Sequence, residues 1–347
     1  MSRNSSPEHE RLAGSCTRSA SVFSLEKKSG CRRTMHNNFF VAGCLGTLAM
    51  IWLQVPLNSS GLIVGMLISV CLIGVPHGGL DHLSGRQWLS SRWGSVWFIP
   101  FFVCYLAIAV ATIVGWLVFP VWTAIGFFMI SANHFGRDDR SRYSSSLWRS
   151  LSVIGLGGLV IWIPAIARPV EMQQILQAII PREMGASSES IVFWTQILAS
   201  VFVPIAMVDI GYSLASQTER THGGMARAIR QTTLVCMLAA TPIPLSFCLY
   251  FCGWHSIRGL NQLMHDHDMT IKAMTLAVLP LSLGAIGLCG LGMWFWNSGR
   301  ELNSELTRTL FLGLSGMAVP HLVLHDLMPM VNRRAACNTE LLMRSAA

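Results

Sequence analysis

The chain has 347 residues, of which 52% are hydrophobic and only 12% are charged. A soluble protein carries about twice that charged share, so the composition excludes an ordinary soluble globular domain. The net charge of +8 does not indicate nucleic-acid binding, because the Lys and Arg residues fall between apolar stretches, where membrane topology places them.

The first 35 residues differ from the rest of the chain. They are rich in Ser, contain seven Lys and Arg residues, and lack an apolar run before Phe39. A secretory signal needs such a run directly after its positive charges. We therefore predict a disordered basic cytoplasmic tail over 1–35. A membrane-embedded domain is expected over 36–330, followed by a short C-terminal tail over 331–347.

Nine apolar segments follow the tail, and several reach the roughly 20 residues that cross a bilayer as a helix. The sequence therefore predicts an all-α, polytopic transmembrane bundle of eight or nine helices. The segments lie at residues 39–57, 61–82, 96–119, 121–135, 151–168, 191–214, 231–257, 273–296 and 307–328.

The basic residues indicate the orientation of these segments. If the N-terminus is cytoplasmic and all nine segments cross, the inside holds 18 Lys and Arg residues and the outside holds 7. This asymmetry favours a multi-pass protein of the inner (plasma) membrane with a cytoplasmic N-terminus. Eight crossings, with the C-terminus inside, are the alternative that better places the last three arginines.

The segment Gly74-Val-Pro-His-Gly-Gly-Leu-Asp-His82, at the end of the second apolar run, is the most unusual motif. Pro76 interrupts the helix hydrogen-bond ladder. His77 and Asp81 are four residues apart and share a helix face, so the carboxylate can orient the imidazole. The alternative is a polar helix end at the lipid interface.

Two further histidine motifs follow in chain order. Ser131-Ala-Asn-His-Phe-Gly-Arg-Asp138 ends the fourth apolar run and repeats the spacing of four residues between His134 and Asp138. Cys252-Gly-Trp-His-Ser-Ile-Arg-Gly259 places His255 within a helix that restarts after a pair of prolines. Arg258, one turn further, is a candidate partner for a carboxylate such as Asp81 or Asp138.

A fourth motif, Val319-Pro-His-Leu-Val-Leu-His-Asp326, places His321 and His325 on one helix face, where they can bind a single metal. His9, His36 and His222 lie in the tail or in a loop and are expected to be solvated.

Ionisable residues inside a membrane are costly and are candidates for function. Imidazoles without thiolates suit iron, zinc or copper, so the histidines predict a metal site. A proton or metal-ion pathway is the alternative. The simple topology puts His255 near the opposite face from His77 and His134, so one site requires long helices. We expect the second helix to reach about Ser90 and the seventh about His265.

At these motifs the sequence resembles the Brp/Blh family of membrane-embedded β-carotene dioxygenases, over about residues 40–330. The resemblance rests on Pro76-His-Gly-Gly-Leu-Asp-His82, on Asn133-His-Phe-Gly136 and on Trp254-His-Ser-Ile-Arg258. It implies a helical bundle that cleaves the central double bond of β-carotene with O₂, giving two retinal molecules for use by a microbial rhodopsin.

The resemblance also implies a site. His77, His134 and His255 would be ligands of a non-haem Fe(II), and Asp81 and Asp138 would orient ligands rather than bind the metal. The family's third motif usually has a second histidine four residues after the first, but this sequence has Gly259 there. The alternatives are a three-histidine site, a replacement by His82, His321 or His325, cleavage of another carotenoid or isoprenoid, and an altered or lost activity.

Overall fold

The computed structural model describes residues 35–56, 59–137, 146–217, 223–295 and 301–327. Every regular element in these ranges is a helix, which confirms the all-α membrane bundle. The two predicted tails lie outside the described residues, apart from Met35 of the first, so the boundaries of the tails stay predictions. Asp138 and His222 also lie outside them.

The helices, numbered in chain order, include three π-helical stretches, π1 to π3, that continue neighbouring α-helices. The bounds are α1 35–52, α2 Ser59–Ser69, π1 Val70–Gly74, α3 Val75–Gly78, α4 Asp81–Trp93, α5 Phe98–Val118, α6 Pro120–Gly136, α7 Ser146–Gly157, α8 Leu159–Ala167, α9 Pro169–Ile179, α10 Ser187–Ala215, α11 Gly224–Ala240, α12 Ile243–Cys248, π2 Leu249–Ser256, α13 Ile257–Asp266, α14 Ile271–Phe295, α15 Leu302–Leu322 and π3 Val323–Leu327. Short 3-10 turns lie at Gly94–Val96 and Arg182–Met184.

Five helical stretches are long and apolar enough to cross a membrane. They are Ser60–Val96, Phe98–Val118, Ser187–Ala215, Ile271–Trp294 and Leu302–Asp326. The pair Leu147–Gly157 and Leu159–Ala167, bent by 58°, makes a sixth if it is counted as one span. Other expected crossings are also helices, but α6 and α11 have 17 residues each, the lower limit for a span.

The spans differ in how much of their surface faces lipid. Only 17% of the most apolar window of Phe98–Val118 is buried, and 11% of that of Ile271–Trp294. The corresponding share in Leu302–Asp326 is 56%. The last span is therefore a central helix of the bundle, while α5 and α14 lie at its periphery.

Two helices run well past their apolar cores, as the single-site hypothesis requires. The span Ser60–Val96, which contains the second apolar segment, is 37 residues long. Helical backbone also extends from Ile243 to Asp266 through π2. His77 therefore lies near the middle of a 37-residue helix rather than at its end. His255 likewise lies near the middle of its own helical stretch, Ile243 to Asp266.

Helices α6 and α7 cross at very close range. A Cβ atom added to Gly136 would overlap the Val153 carbonyl, and one added to Gly157 would overlap the Ala132 carbonyl. Small residues let membrane helices approach backbone to backbone in this way. The crossing lies within one turn of His134 and holds that part of α6 in place.

Candidate metal centre

Two of the three sequence-predicted ligands, His77 and His255, lie beside a local irregularity in their helices, and so does His321, whereas His134 lies in the regular helix α6. The π1 stretch ends three residues before His77, and Pro76 directly precedes it. The π2 stretch contains His255, and π3 follows His321. π-Helical turns widen a helix locally and are common at functional sites.

Four imidazoles form a closed ring in the centre of the bundle. The ring centroid of His77 lies 5.0 Å from that of His255 and 4.9 Å from that of His321. The centroid of His134 lies 5.2 Å from that of His255 and 5.4 Å from that of His321. The structure thus brings together His77, His134 and His255, as the motifs predict, and adds His321. Each of the four comes from a different span or helix.

The Asp81 carboxylate binds three donors from other helices. His321 Nδ1–H donates to its Oδ1 over 2.8 Å, and His325 Nε2–H donates to the same oxygen over 3.0 Å. Tyr105 donates its hydroxyl to Oδ2 over 3.0 Å. A carboxylate only accepts, so Nδ1 of His321 carries the proton and Nε2 keeps the lone pair that a metal needs.

A second carboxylate does the same for His134. His134 Nδ1–H donates to Asp326 Oδ1 over 3.1 Å, and Asn133 donates to Oδ2 over 3.2 Å. Arg137 forms an ion pair with Oδ1 at 3.3 Å. Asp326 thus orients His134, a role that the sequence analysis does not assign to it, because the two partners are 192 residues apart.

His77 is the imidazole that the protein itself leaves unsatisfied. Both of its ring nitrogens are buried and make no hydrogen bond to any described residue. A buried polar group without a partner is costly and needs an explanation. A metal bound among the four imidazoles would provide the missing partner, so the residues present fit a metal ion.

Gly259 makes room for this arrangement. A Cβ atom added at position 259 would overlap the His77 ring. Any side chain there, including the histidine expected from the family motif, requires His77 to lie elsewhere. The fourth imidazole comes instead from α15, in the form of His321.

The other two candidates for the missing ligand lie differently. His82 Nδ1 bonds the Gly79 carbonyl over 2.8 Å, a local contact within its own helix turn. His325 is hydrogen-bonded to Asp81. One ligand atom from each of Asp81, His321 and His325 lies within 4.8 Å of the others, which among the described residues is the one such group with ligand atoms this close together. This group shares His321 with the ring.

The neighbours of His255 correct one expectation and leave another open. Arg258 lies over the Trp254 ring, with its guanidinium carbon 5.4 Å from the ring centroid, and its pairing with a carboxylate stays a prediction because Asp138 lies outside the described residues. His36, expected to be solvated, bonds the Gly253 carbonyl over 2.9 Å and stacks on Trp254. These contacts of His36 with Gly253 and Trp254 hold helix α1 against π2, beside His255.

A cavity of about 780 Å³ opens beside the imidazole ring. All four histidines contribute to its lining, and most of its other walls are aliphatic or aromatic. Leu106, Val110 and Leu288 line the cavity and are also 53%, 58% and 63% exposed on the outer surface. The cavity therefore reaches the lipid-facing surface between α5 and α14.

Fold and site together describe an integral membrane protein with a buried histidine cluster beside a large apolar cavity. The family described as Beta-carotene 15,15′-dioxygenase matches residues 68–329 of the chain. The chain belongs to this family, which confirms the resemblance seen in the motifs.

Two curated relatives support this placement. A "Beta-carotene 15,15′-dioxygenase" from an uncultured marine bacterium, 66A03, is 26% identical over 264 residues, which is 74% of this chain and 90% of that protein. A "Probable beta-carotene 15,15′-dioxygenase Blh" from Halobacterium salinarum is 25% identical over 205 residues, which is 56% of this chain and 59% of that protein. No solved structure matches the chain significantly.

Proposed function

We propose that the chain is a membrane-embedded, Fe(II)-dependent oxygenase that cleaves the central double bond of β-carotene with O₂ and gives two molecules of all-trans-retinal. The convergence of His77, His134, His255 and His321 at the mouth of an apolar cavity carries this proposal. The names of the relatives agree with it.

The donor set supports iron. Neutral imidazole nitrogens suit Fe(II), and four of them leave coordination positions open for O₂. Fe(II) bound there would supply the one-electron chemistry that lets O₂ react with a polyene. One C=C bond and one O₂ become two C=O groups, so the reaction needs no further reductant or proton.

The protein residues do the positioning. Asp81 and Asp326 hold His321 and His134 with Nδ1 protonated, which keeps their Nε2 lone pairs available. The apolar walls of the cavity exclude water and fit a hydrocarbon substrate. The opening between α5 and α14 lets such a substrate enter from the bilayer, where it dissolves.

The proposal includes the setting of the reaction. The protein would lie in the inner membrane with its N-terminus in the cytoplasm, as the distribution of Lys and Arg favours. A microbial rhodopsin in the same cell would be a user of the retinal product. Asp138, outside the described residues, stays a candidate for a supporting role near the site.

Expression in a bacterium that makes β-carotene tests the reaction. The wild type should remove the orange colour of the cells and produce retinal. His77→Ala should insert into the membrane but produce no retinal, because it removes one of the four imidazoles of the ring. His265→Ala is the matched control, since the His265 side chain is 73% exposed at the end of α13. An unchanged carotenoid pool with verified insertion and added iron would refute the proposal.

The same purified proteins separate the enzyme from its rival, a histidine-lined transport pathway. The enzyme should contain close to one iron per chain, and His77→Ala should lose it. A metal-free wild type that moves protons or metal ions across vesicles would favour the rival. Cleavage of a different carotenoid or isoprenoid would show as other aldehyde products in the same extracts.

A further inference from the structure

The lining of the cavity extends along α15, away from the imidazole ring. We call this part of the cavity, between His321 and Glu305, the arm. His321 and Arg308 both line the cavity and are 13 residues apart on this helix, or about 20 Å at the α-helical rise. The side chains that line the arm between its two ends are hydrophobic, and they include Ile113, Phe127 and Leu312. The arm is thus an apolar channel leading away from the site.

The far end of the arm is polar. Glu305, Arg308 and Thr309 all line it, and Glu305 and Arg308 are each only 6% exposed. Charged side chains buried at membrane depth are costly and mark functional sites by default. An arm built only for a hydrocarbon ring would end in apolar residues.

Trp116 adds a second, independent observation at this end. Helices α5 and α15 are antiparallel, and Tyr105 donates to the Met317 carbonyl. Gly316 of α15 packs against Ala109 and Ile113 of α5, so Trp116 is level with about residues 309–313 of α15, close to Thr309. Trp116 lines the cavity and is 3% exposed. Its Nε1 is buried without a hydrogen-bond partner among the described residues, although a buried indole N–H usually has one.

We propose that this end of the arm is a subsite for an oxygen-bearing terminal ring, so that the preferred substrates are carotenoids with a hydroxyl or keto group on a ring. The inference rests on the proposed function and refines its substrate class. The Trp116 N–H can only donate, and a ring oxygen is the acceptor that would complete it. Glu305, Arg308 and Thr309 supply the polar surroundings, while β-carotene has no oxygen that could accept from the Trp116 N–H.

Binding to metal-free protein tests the subsite without any cleavage. The dissociation constants of β-carotene and of its ring-hydroxylated counterpart are measured by quenching of tryptophan fluorescence in detergent. The wild type should bind the hydroxylated carotenoid roughly fivefold more tightly, the effect of about one hydrogen bond. Trp116→Phe and Thr309→Val should each reduce that ratio and leave β-carotene binding nearly unchanged.

Two matched controls accompany these variants. Trp162→Phe removes an indole whose N–H already donates to the Ile154 carbonyl, and Thr112→Val removes a hydroxyl that bonds within α5. Neither residue lines the cavity, so neither should change the ratio. Equal binding of the two carotenoids by the wild type, or a ratio unaffected by Trp116→Phe and Thr309→Val, would overturn the subsite.

The outcome is separable from that of the proposed function. A protein that prefers the hydroxylated carotenoid but cleaves neither, even with iron, retains the subsite and loses the oxygenase. A protein that cleaves β-carotene and shows no preference retains the oxygenase and loses the subsite.

Discussion

His321, like His134, is a ring histidine whose orientation is held by a carboxylate. Its Nδ1–H donates to Asp81, and Asp81 is itself bonded by Tyr105 and His325. Partners of this kind typically change metal affinity by 10- to 100-fold. His321 also provides the fourth imidazole of the ring, because Gly259 occupies the position where the family motif usually has a histidine. It is therefore the residue on which the fourth coordination position depends.

We predict that His321→Ala lowers the iron content of the purified protein to less than half of the wild-type value. His82→Ala should retain nearly full iron content, because His82 bonds the carbonyl of Gly79 rather than joining the ring. The measurement is metal analysis after equilibration with limiting Fe(II). Equal iron content in the two variants would contradict the assignment of His321.

At the scale of elements, the crossing of α6 with α7 determines where His134 lies. Gly136 touches the backbone of α7, whereas a Cβ atom added to Gly126, on the same helix, meets nothing within 4 Å. The two glycines therefore make a matched pair. One is required by a close contact, and the other is exposed toward lipid.

We predict that Gly136→Ala destabilises the protein by about 1–3 kcal/mol, the usual cost of overpacking, and lowers its melting temperature in detergent by several degrees. Gly126→Ala should leave the melting temperature unchanged or slightly higher, since Ala is the better helix former. A melting temperature for Gly136→Ala equal to that of the wild type would show that the helices can separate without cost.

The elements also show what could be read from the sequence. Apolar length predicts the membrane helices, and the Pro76-His, Asn133-His and Trp254-His motifs predict three of the four ring histidines. The roles of Asp326 and His321 were not predicted firmly, because each depends on a contact between segments about 200 residues apart. The π-helical stretches carry no composition signal, although they lie beside three of the four ring histidines.

At the scale of the whole molecule, the imidazole ring connects spans that are far apart in the chain. The four ring histidines lie on four separate elements: His77 on the span Ser60–Val96, His134 on α6, His255 on π2 and His321 on α15. A ligand that binds only the folded state stabilises it by mass action, by about 2.7 kcal/mol at a free concentration of 100 times Kd. Metal binding should therefore stabilise the bundle as a whole.

We predict that removing iron with a chelator lowers the melting temperature of the wild type, and that adding Fe(II) restores it. His77→Ala should melt at one temperature with or without iron, because it lacks the ligand whose ring nitrogens are otherwise unsatisfied. The test is a thermal scan in detergent at fixed protein concentration. Identical curves for the metal-free and iron-loaded wild type would refute this coupling.

The bond between Asp81 and His321 has a consequence for how the chain is made. Asp81 enters the bilayer with the span Ser60–Val96. Two of its three hydrogen-bonding partners, His321 and His325, lie in the last span, Leu302–Asp326. Until the last span is synthesised, the Asp81 carboxylate lies in the membrane with Tyr105 as its one partner of the three, and an incompletely paired charge there is costly. A chain released before Leu302 is synthesised therefore lacks two partners of Asp81, His321 and His325. Membrane proteases that degrade misassembled proteins can recognise such a chain.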